Sequence, residues 1–167
     1  LRALGFDIVL DTKLAGDLLV MEEAANLVDK IKNNKLNAPY FLSACPSFIN
    51  YIEQTRSALI PNCSTARSPP SILGSLVREV IPQKKDISSR DIYNVSITTC
   101  LSKKDEIERP QYLTKDGMKN IDVNLTVREL VDILHIAHVN VLNFKESEFD
   151  NLLGNGSGAA SLLDASG

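Results

Sequence analysis

Two cysteines stand where thiolate chemistry could take place. Cys45 closes the stretch Leu42-Ser43-Ala44-Cys45-Pro46-Ser47-Phe48, in which an apolar run meets a small-residue turn and then a proline. Cys100 follows Thr98-Thr99 at the end of the β-branched run Ile92 to Ile97. If both runs are strands, each sulfur lies at a strand's carboxyl end, where open α/β sheets gather their ligands. Soft thiolates at such positions can hold a metal. Against this, there is no CxxC pair, the third cysteine is the distant Cys63, and lone cysteines usually act as small hydrophobes. Other polar residues are equally double-valued. Glu22 and Glu23 suit either a helix start, where carboxylates meet the positive end of the dipole, or a site. Ser68, before Pro69-Pro70, is an N-cap or a site residue. Lys103-Lys104-Asp105-Glu106 is a solvated connection or a functional loop. His135 and His138 lack a third ligand and are assigned no role.

The elements that must position these residues follow from periodicity. Phe6 to Leu10, Tyr40 to Leu42, Ile92 to Ile97 and Ile121 to Leu125 read as four strands. A helical pattern opens at Asp17, carries Val20, Ala24, Leu27, Val28 and Ile31 on one face, and ends at Asn33-Asn34. A second runs from Pro46 through Phe48, Ile49 and Ile52 toward Pro61. Ser68-Pro69-Pro70 starts a third, since proline tolerates the first turn. Ile72, Leu73, Leu76, Val77 and Val80 line it, and Pro82 is expected to stop it. Thr126-Val127-Arg128-Glu129 is a capping box, and Leu130, Val131, Leu134 and Ala137 form the expected buried face of the helix behind it. No solenoid-length repeat is present. Strands alternating with helices predict an α/β fold: a four-stranded, mainly parallel sheet with helices on both faces.

The totals narrow the function classes. The chain has 167 residues, enough for one domain or part of a larger one. Lysines and arginines are scattered and the net charge is -3, so the basic stripe of a nucleic-acid partner is missing. No apolar run approaches a membrane span, and the N-terminus lacks the regions of a signal peptide. Three separated cysteines point to reduced thiols and a cytoplasmic location. Leu1 and the run Gly154 to Gly167 suggest a fragment.

In their order and spacing, several short motifs resemble the iron-only hydrogenases, in the domain that binds the H-cluster. They are Leu4-Gly5-Phe6-Asp7, Met21-Glu22-Glu23, Ser43-Ala44-Cys45-Pro46, Ser64 with Ser68-Pro69, and Thr99-Cys100-Leu101-Ser102-Lys103-Lys104. Glu106, Arg109-Pro110-Gln111, Lys115-Asp116-Gly117, Ile121-Asp122, Arg128-Glu129-Leu130 and Gly156-Ser157-Gly158-Ala159 continue the match.

The resemblance implies that Cys45 and Cys100 are two of four thiolates on a 4Fe-4S cube, which a cysteine bridges to a two-iron unit. It implies that Ser43, Ala44, Ser68, Pro69 and Thr99 border the cofactor. Lys103 would donate to a cyanide of the two-iron unit, and a compact cation suits an anionic ligand. Glu23 and Ser64 would belong to the proton route. The remaining ligands would lie in a C-terminal continuation. Residues 1–153 would then form one lobe of a two-lobed domain, with 154–167 starting the continuation and no cluster stably bound by this piece alone.

The departures from the family pattern matter as much. Ala44 replaces the cysteine that passes protons in the prototypes, and Asn26 replaces an outer glutamate. Thr98 stands for a methionine, Pro70 for a glutamine and Phe48 for a tryptophan. Retained ligands without the proton thiol resemble the sensory, slow-turnover branch, acting on hydrogen and protons with ferredoxin or attached iron–sulfur domains as electron partners. The alternative is a hydrogenase-like cluster carrier or scaffold without the two-iron unit. Retention of Lys103 and of the Gly156-Ser157-Gly158-Ala159 turn weighs against it. Cys63 matches no family ligand and reads as a packing thiol.

Overall fold

The computed structural model describes residues 1–36 and 38–164. The chain divides into two compact units, one of Leu1–Asp11 with Leu76–Asn155 and one of Thr12–Ser75 with Gly156–Gly167.

In the first unit, β1 (Val95–Thr98) pairs in parallel with β2 (Val123–Thr126), Val95 opposite Val123 and Thr98 opposite Thr126. Between them lies the single turn α4 (Lys103–Glu106), and β2 runs directly into α5 (Val127–Ile136). The capping box forms as its sequence predicts. Thr126 Oγ1 accepts from the Glu129 N–H at 3.2 Å, and Glu129 Oε2 accepts from the Thr126 N–H at 2.8 Å. The expected buried face of α5 does not form: Leu130 and Leu134 are half-buried, and Val131 and Ala137 are exposed.

Lys104 also bonds Glu129, at 2.5 Å, and this bond together with the Thr126 donors brings the Glu129 carboxyl down to about 2. A depressed carboxyl stabilises the fold above its unfolded value, and that contribution disappears as the pH falls through the folded one. Glu129→Gln is therefore expected to flatten the acid limb of the stability curve between about pH 4.5 and 2, measured by urea unfolding at a series of pH values.

The four-stranded sheet is not what forms. Among the described residues the sheet has two strands. Phe6 to Leu10 is held by the backbone and side chain of one residue, Asp150, instead of a neighbouring strand. The Val9 N–H donates to the Asp150 carboxylate at 2.7 Å, and the Val9 carbonyl accepts from the Asp150 N–H at 2.8 Å. Arg2 binds the same carboxylate at 3.0 Å. Tyr40 to Leu42 makes one parallel bridge, Phe41 to Cys63. Pro39 has no N–H to extend that ladder backward, and forward of it the Ser43 hydroxyl, donating to the Ala66 carbonyl at 2.9 Å, takes the place of a backbone rung. The third and fourth runs start late. Ile92 closes the 3-10 turn Ser89–Asp91, and the Asp122 carboxylate accepts the Asn94 N–H at 2.6 Å, so pairing begins only at Val95 and Val123.

In the second unit, α1 (Lys13–Lys32) begins four residues before Asp17, and Asn33 caps its end. Asp17 is buried inside it and serves the 157–160 turn, accepting from the Ala160 N–H at 2.6 Å and from the Ser157 N–H. These backbone donors, Ala160 foremost, hold its carboxyl below the ordinary value. Gly156 packs closely here: a Cβ would lie 3.2 Å from Asp17 Oδ2 and 3.3 Å from the Lys13 backbone, so a larger residue would have to push these neighbours aside. Ala15 and Leu19 are buried, whereas Leu27, Val28 and Ile31 of the expected face are exposed. α2 (Pro46–Thr55) carries Pro46 in its first turn and gives way to the 3-10 segment Ser57–Asn62, so the helical period does not reach Pro61 as one helix. α3 (Pro69–Lys85), whose residues from Leu76 onward belong to the first unit, starts at Ser68, whose carbonyl accepts from the Ile72 N–H at 2.9 Å. It runs past Pro82 by one turn and ends at Asp86, which takes a left-handed φ of 54°. Pro82 loses one donor, but its carbonyl still accepts from the Ile87 N–H at 3.2 Å.

Candidate metal-cluster site

The residues singled out for chemistry fall into one group in each unit. In the second unit, Cys45 sits at the N-cap of α2 in an extended conformation, with Pro46 fixing the first turn behind it. Its side chain is exposed, Ala44 is half-buried and Ser43 is buried. Two extended segments hold this turn together. The Phe41 N–H donates to the Asn62 carbonyl at 2.9 Å, and the Ser64 N–H donates to the Phe41 carbonyl at 2.8 Å. Ser43 Oγ donates to the Ala66 carbonyl, and Ser64 Oγ accepts from the Ala66 N–H at 3.0 Å. Ser68 is fully buried and Pro69 half-buried at the start of α3. Glu23, half-buried on α1, accepts from the Tyr40 hydroxyl at 3.2 Å through Oε2, while its buried Oε1 has no partner among the described residues. Asn26 donates its amide to Glu22 at 3.2 Å.

In the first unit, Cys100 lies half-buried just beyond β1, with Thr99 exposed beside it. The chain turns back at once: the Lys103 N–H donates to the Cys100 carbonyl at 3.3 Å. Thr98 Oγ1 lies 3.2 Å from the Cys100 carbonyl and 3.2 Å from Asn124 Oδ1. Lys103 is 8% exposed and its ammonium donates to Glu106 Oε2 at 2.7 Å, with Glu106 only 3% exposed. A buried ion pair of this kind costs desolvation and is weak evidence for stability, so its presence beside a cysteine calls for another explanation. Asn124 is buried, and its Nδ2 donor has no partner among the described residues.

Among the described residues no group of three or more His, Cys, Asp or Glu side chains could hold a metal ion. His135 and His138 are exposed. Cys63 is half-buried, and burial pushes its thiol up, away from the thiolate a metal needs.

The family model "Iron only hydrogenase large subunit, C-terminal domain" matches residues 1–167. The chain belongs to this family. As an iron-only hydrogenase family member it is 36% identical over its full length to iron hydrogenase 1 of Clostridium pasteurianum, spanning 29% of that protein. It is 32% identical to the periplasmic [Fe] hydrogenase large subunit of Nitratidesulfovibrio vulgaris, covering all of this chain and 40% of that one. A cytosolic Fe-S cluster assembly factor of Scheffersomyces stipitis is 33% identical over 80% of the chain and 25% of its own length. Among solved structures, apo [FeFe]-hydrogenase HydA1 of Chlamydomonas reinhardtii superposes with a TM-score of 0.85 at 35% identity, over 95% of this chain and 40% of that one. The chain thus spans well under half the length of these relatives.

Three residues of these groups carried no assigned role in the sequence reading. Glu106 could have been found from its spacing, since a side chain three residues after Lys103 shares its face of a helical turn. Tyr40 and Asn124 left no such signal, because both read as members of apolar runs.

Proposed function

We propose that this chain supplies one part of the H-cluster site of an iron-only hydrogenase of the sensory or slow-turnover type, with the remaining ligands in a C-terminal continuation of the same domain. Cys45 and Cys100 would hold two corners of the 4Fe-4S cube. The orphaned Asn124 donor fits this, since it is a buried amide N–H in need of an acceptor, and cluster sulfides accept hydrogen bonds. Two thiolates fill half of a cube's ligand set, and the remainder must come from elsewhere. When bound, the cluster and its two-iron unit supply the reversible splitting of hydrogen and the path for electrons to a ferredoxin or attached iron–sulfur domain.

The observation that carries the reading is the buried ammonium of Lys103, three residues beyond Cys100 and braced by Glu106. A buried lysine–glutamate pair costs desolvation that a role in stability does not explain, whereas an ammonium held beside a cluster cysteine suits an anionic ligand such as the cyanide of a two-iron unit. Glu106 compensates the charge and aims the side chain. Ser43 and Ser64, through Ala66, fix the backbone that presents Ala44 and Cys45, and buried Ser68 and Pro69 set the start of α3. Thr99 would border the cofactor from the other strand end. Glu23 and Ser64 would belong to the proton route, which Ala44 interrupts because a methyl group neither gives nor takes a proton.

A second reading, a cluster carrier or scaffold without the two-iron unit, has support in the matches to Fe-S cluster assembly factors at 31–34% identity. One measurement separates the two. The full-length parent, matured with the two-iron cofactor, is expected to give infrared bands of bound carbonyl and cyanide. A cube without those bands would establish the carrier instead.

A further inference from the structure

We propose that Asn124 is a potential-setting residue, its buried amide donating a hydrogen bond to sulfur of the cube held at Cys100 and so raising the reduction potential there. The inference rests on the reading above only in taking Cys100 as a ligand of a cube. β1 and β2 pair with Ser96 opposite Asn124 and Thr98 opposite Thr126, so these four side chains share one face of the sheet. Val95, Ile97, Val123 and Leu125 take the other face. Parallel strands are ordinarily apolar on both sides, because both are covered. Here one side is polar, and yet Asn124 in the middle of it is only 2% exposed.

The hydrogen bonds around Asn124 leave one group over. Thr98 Oγ1 lies 3.2 Å from Asn124 Oδ1 and 3.2 Å from the Cys100 carbonyl, so one hydroxyl ties the amide to the turn that carries Cys100. Its single proton serves one of these oxygens at a time. Asn124 Nδ2 carries two N–H donors of its own, and neither has an acceptor among the described residues. Such a donor is costly to bury, and an apolar side chain of similar size would remove the cost. The cost has a use if the acceptor arrives with the cluster. On Cys100 the carbonyl is already engaged, taking the Lys103 N–H at 3.3 Å, which leaves the sulfur as the atom that the residue still offers. Hydrogen bonds to cluster sulfur offset the negative charge added on reduction, and they are one of the levers that set the potential.

The test uses the full-length parent reconstituted with iron and sulfide, so that only the cube is present. Asn124→Val, close in volume and suited to a strand, is expected to raise the oxidised-to-reduced ratio at a fixed potential about tenfold, the worth of one hydrogen bond, which is a fall in midpoint of about 59 mV for a one-electron couple. Hyperfine spectra of the reduced cube in heavy water should lose an exchangeable deuteron in the same variant. The urea midpoint of the full chain without a cluster should hold or rise, because an unmet donor has been removed. A lower urea midpoint with an unmoved potential makes Asn124 a structural residue and overturns the proposal. Should Asn124→Val fail to fold, Asn124→Asp keeps the shape without the amide hydrogens, and an unmoved potential in that variant overturns it equally. A native parent that binds no cube refutes both this inference and the assignment of Cys100. A cube that gives no carbonyl and cyanide bands after maturation refutes the hydrogenase reading alone, and the midpoint shift still decides the role of Asn124.

Discussion

Ala44→Cys is expected to raise hydrogen turnover of the matured full-length parent about a hundredfold, the size of effect that one acid–base group contributes. The position is prepared for it. Ser43 is buried and tied to the Ala66 carbonyl at 2.9 Å, and Pro46 fixes the backbone on the other side, so a thiol at 44 would enter a turn whose course is already set. Alanine to cysteine adds one heavy atom at a half-buried site, too little to overpack it. The check is the rate of hydrogen evolution from a reduced dye, with the infrared bands as a control for cofactor loading. An unchanged rate with full loading would put the limiting step farther out, at Asn26, whose amide is engaged with Glu22 at 3.2 Å and does not titrate. Ala44→Cys with Asn26→Glu then becomes the informative pair. A gain only in the double variant means that both breaks lie in series, whereas no gain in either removes interrupted proton supply as a basis for the slow-turnover proposal.

What the sequence could reveal depended on whether the information was local. The Thr126–Glu129 capping box is written within four residues and forms as read. So does the Ser68-Pro69 start of α3, because the N–H that proline lacks falls in the first turn, where no helical partner needs it. Parallel pairing is not local. Ile92 to Ile97 and Ile121 to Leu125 had the right composition, and their central portions pair. Phe6 to Leu10 had equally good composition, but its backbone partner is Asp150, an acidic residue in a polar stretch that no periodicity connects to it. Tyr40 to Leu42 failed as a strand for a related reason. A single bridge and several side-chain bonds do there what a ladder would have done.

The amphipathic readings failed differently. Apolar spacing on α1 and α5 is regular, yet Val28, Ile31, Val131 and Ile136 are exposed, and the carboxylate Asp17 is among the few buried residues of α1, with Ala15 and Leu19. Periodicity reports which side of a helix is apolar, and does not report whether this chain contains the surface that covers it. In the same way Cys100 was legible as a strand-end thiol and Cys45 only as the residue before a helix-opening proline, while Asn124 and Tyr40 were hidden inside apolar runs and Glu106 was marked only by its spacing from Lys103.

Arg78→Met should destabilise the fold by about 3–5 kcal/mol, the cost of breaking a buried charge pair from one side. Arg78, on α3, has a side chain 5% exposed, and its guanidinium reaches four acceptors. Nε donates to the Lys119 carbonyl at 3.0 Å, one terminal nitrogen to the Ser89 and Ile92 carbonyls at 2.7 and 2.6 Å, and the other to Asp122 at 2.5 Å. These acceptors lie on both sides of β1 in sequence and immediately before β2, so one side chain sets where the two strands begin. Methionine fills much of the volume but leaves the Asp122 carboxylate without its cation and three carbonyls without donors. Lysine keeps the charge but not the planar fork, and Arg78→Lys should recover only part of the loss. The reference is the exposed pair Lys119 to Glu108 at 2.6 Å, where Lys119→Ala should cost less than about 1 kcal/mol. Urea midpoints of the three variants test this ordering. If Arg78→Met proved as mild as Lys119→Ala, the strand ends would have to be fixed by the Asp122 to Asn94 bond alone, and Asp122→Ala would then become the most damaging change in the unit.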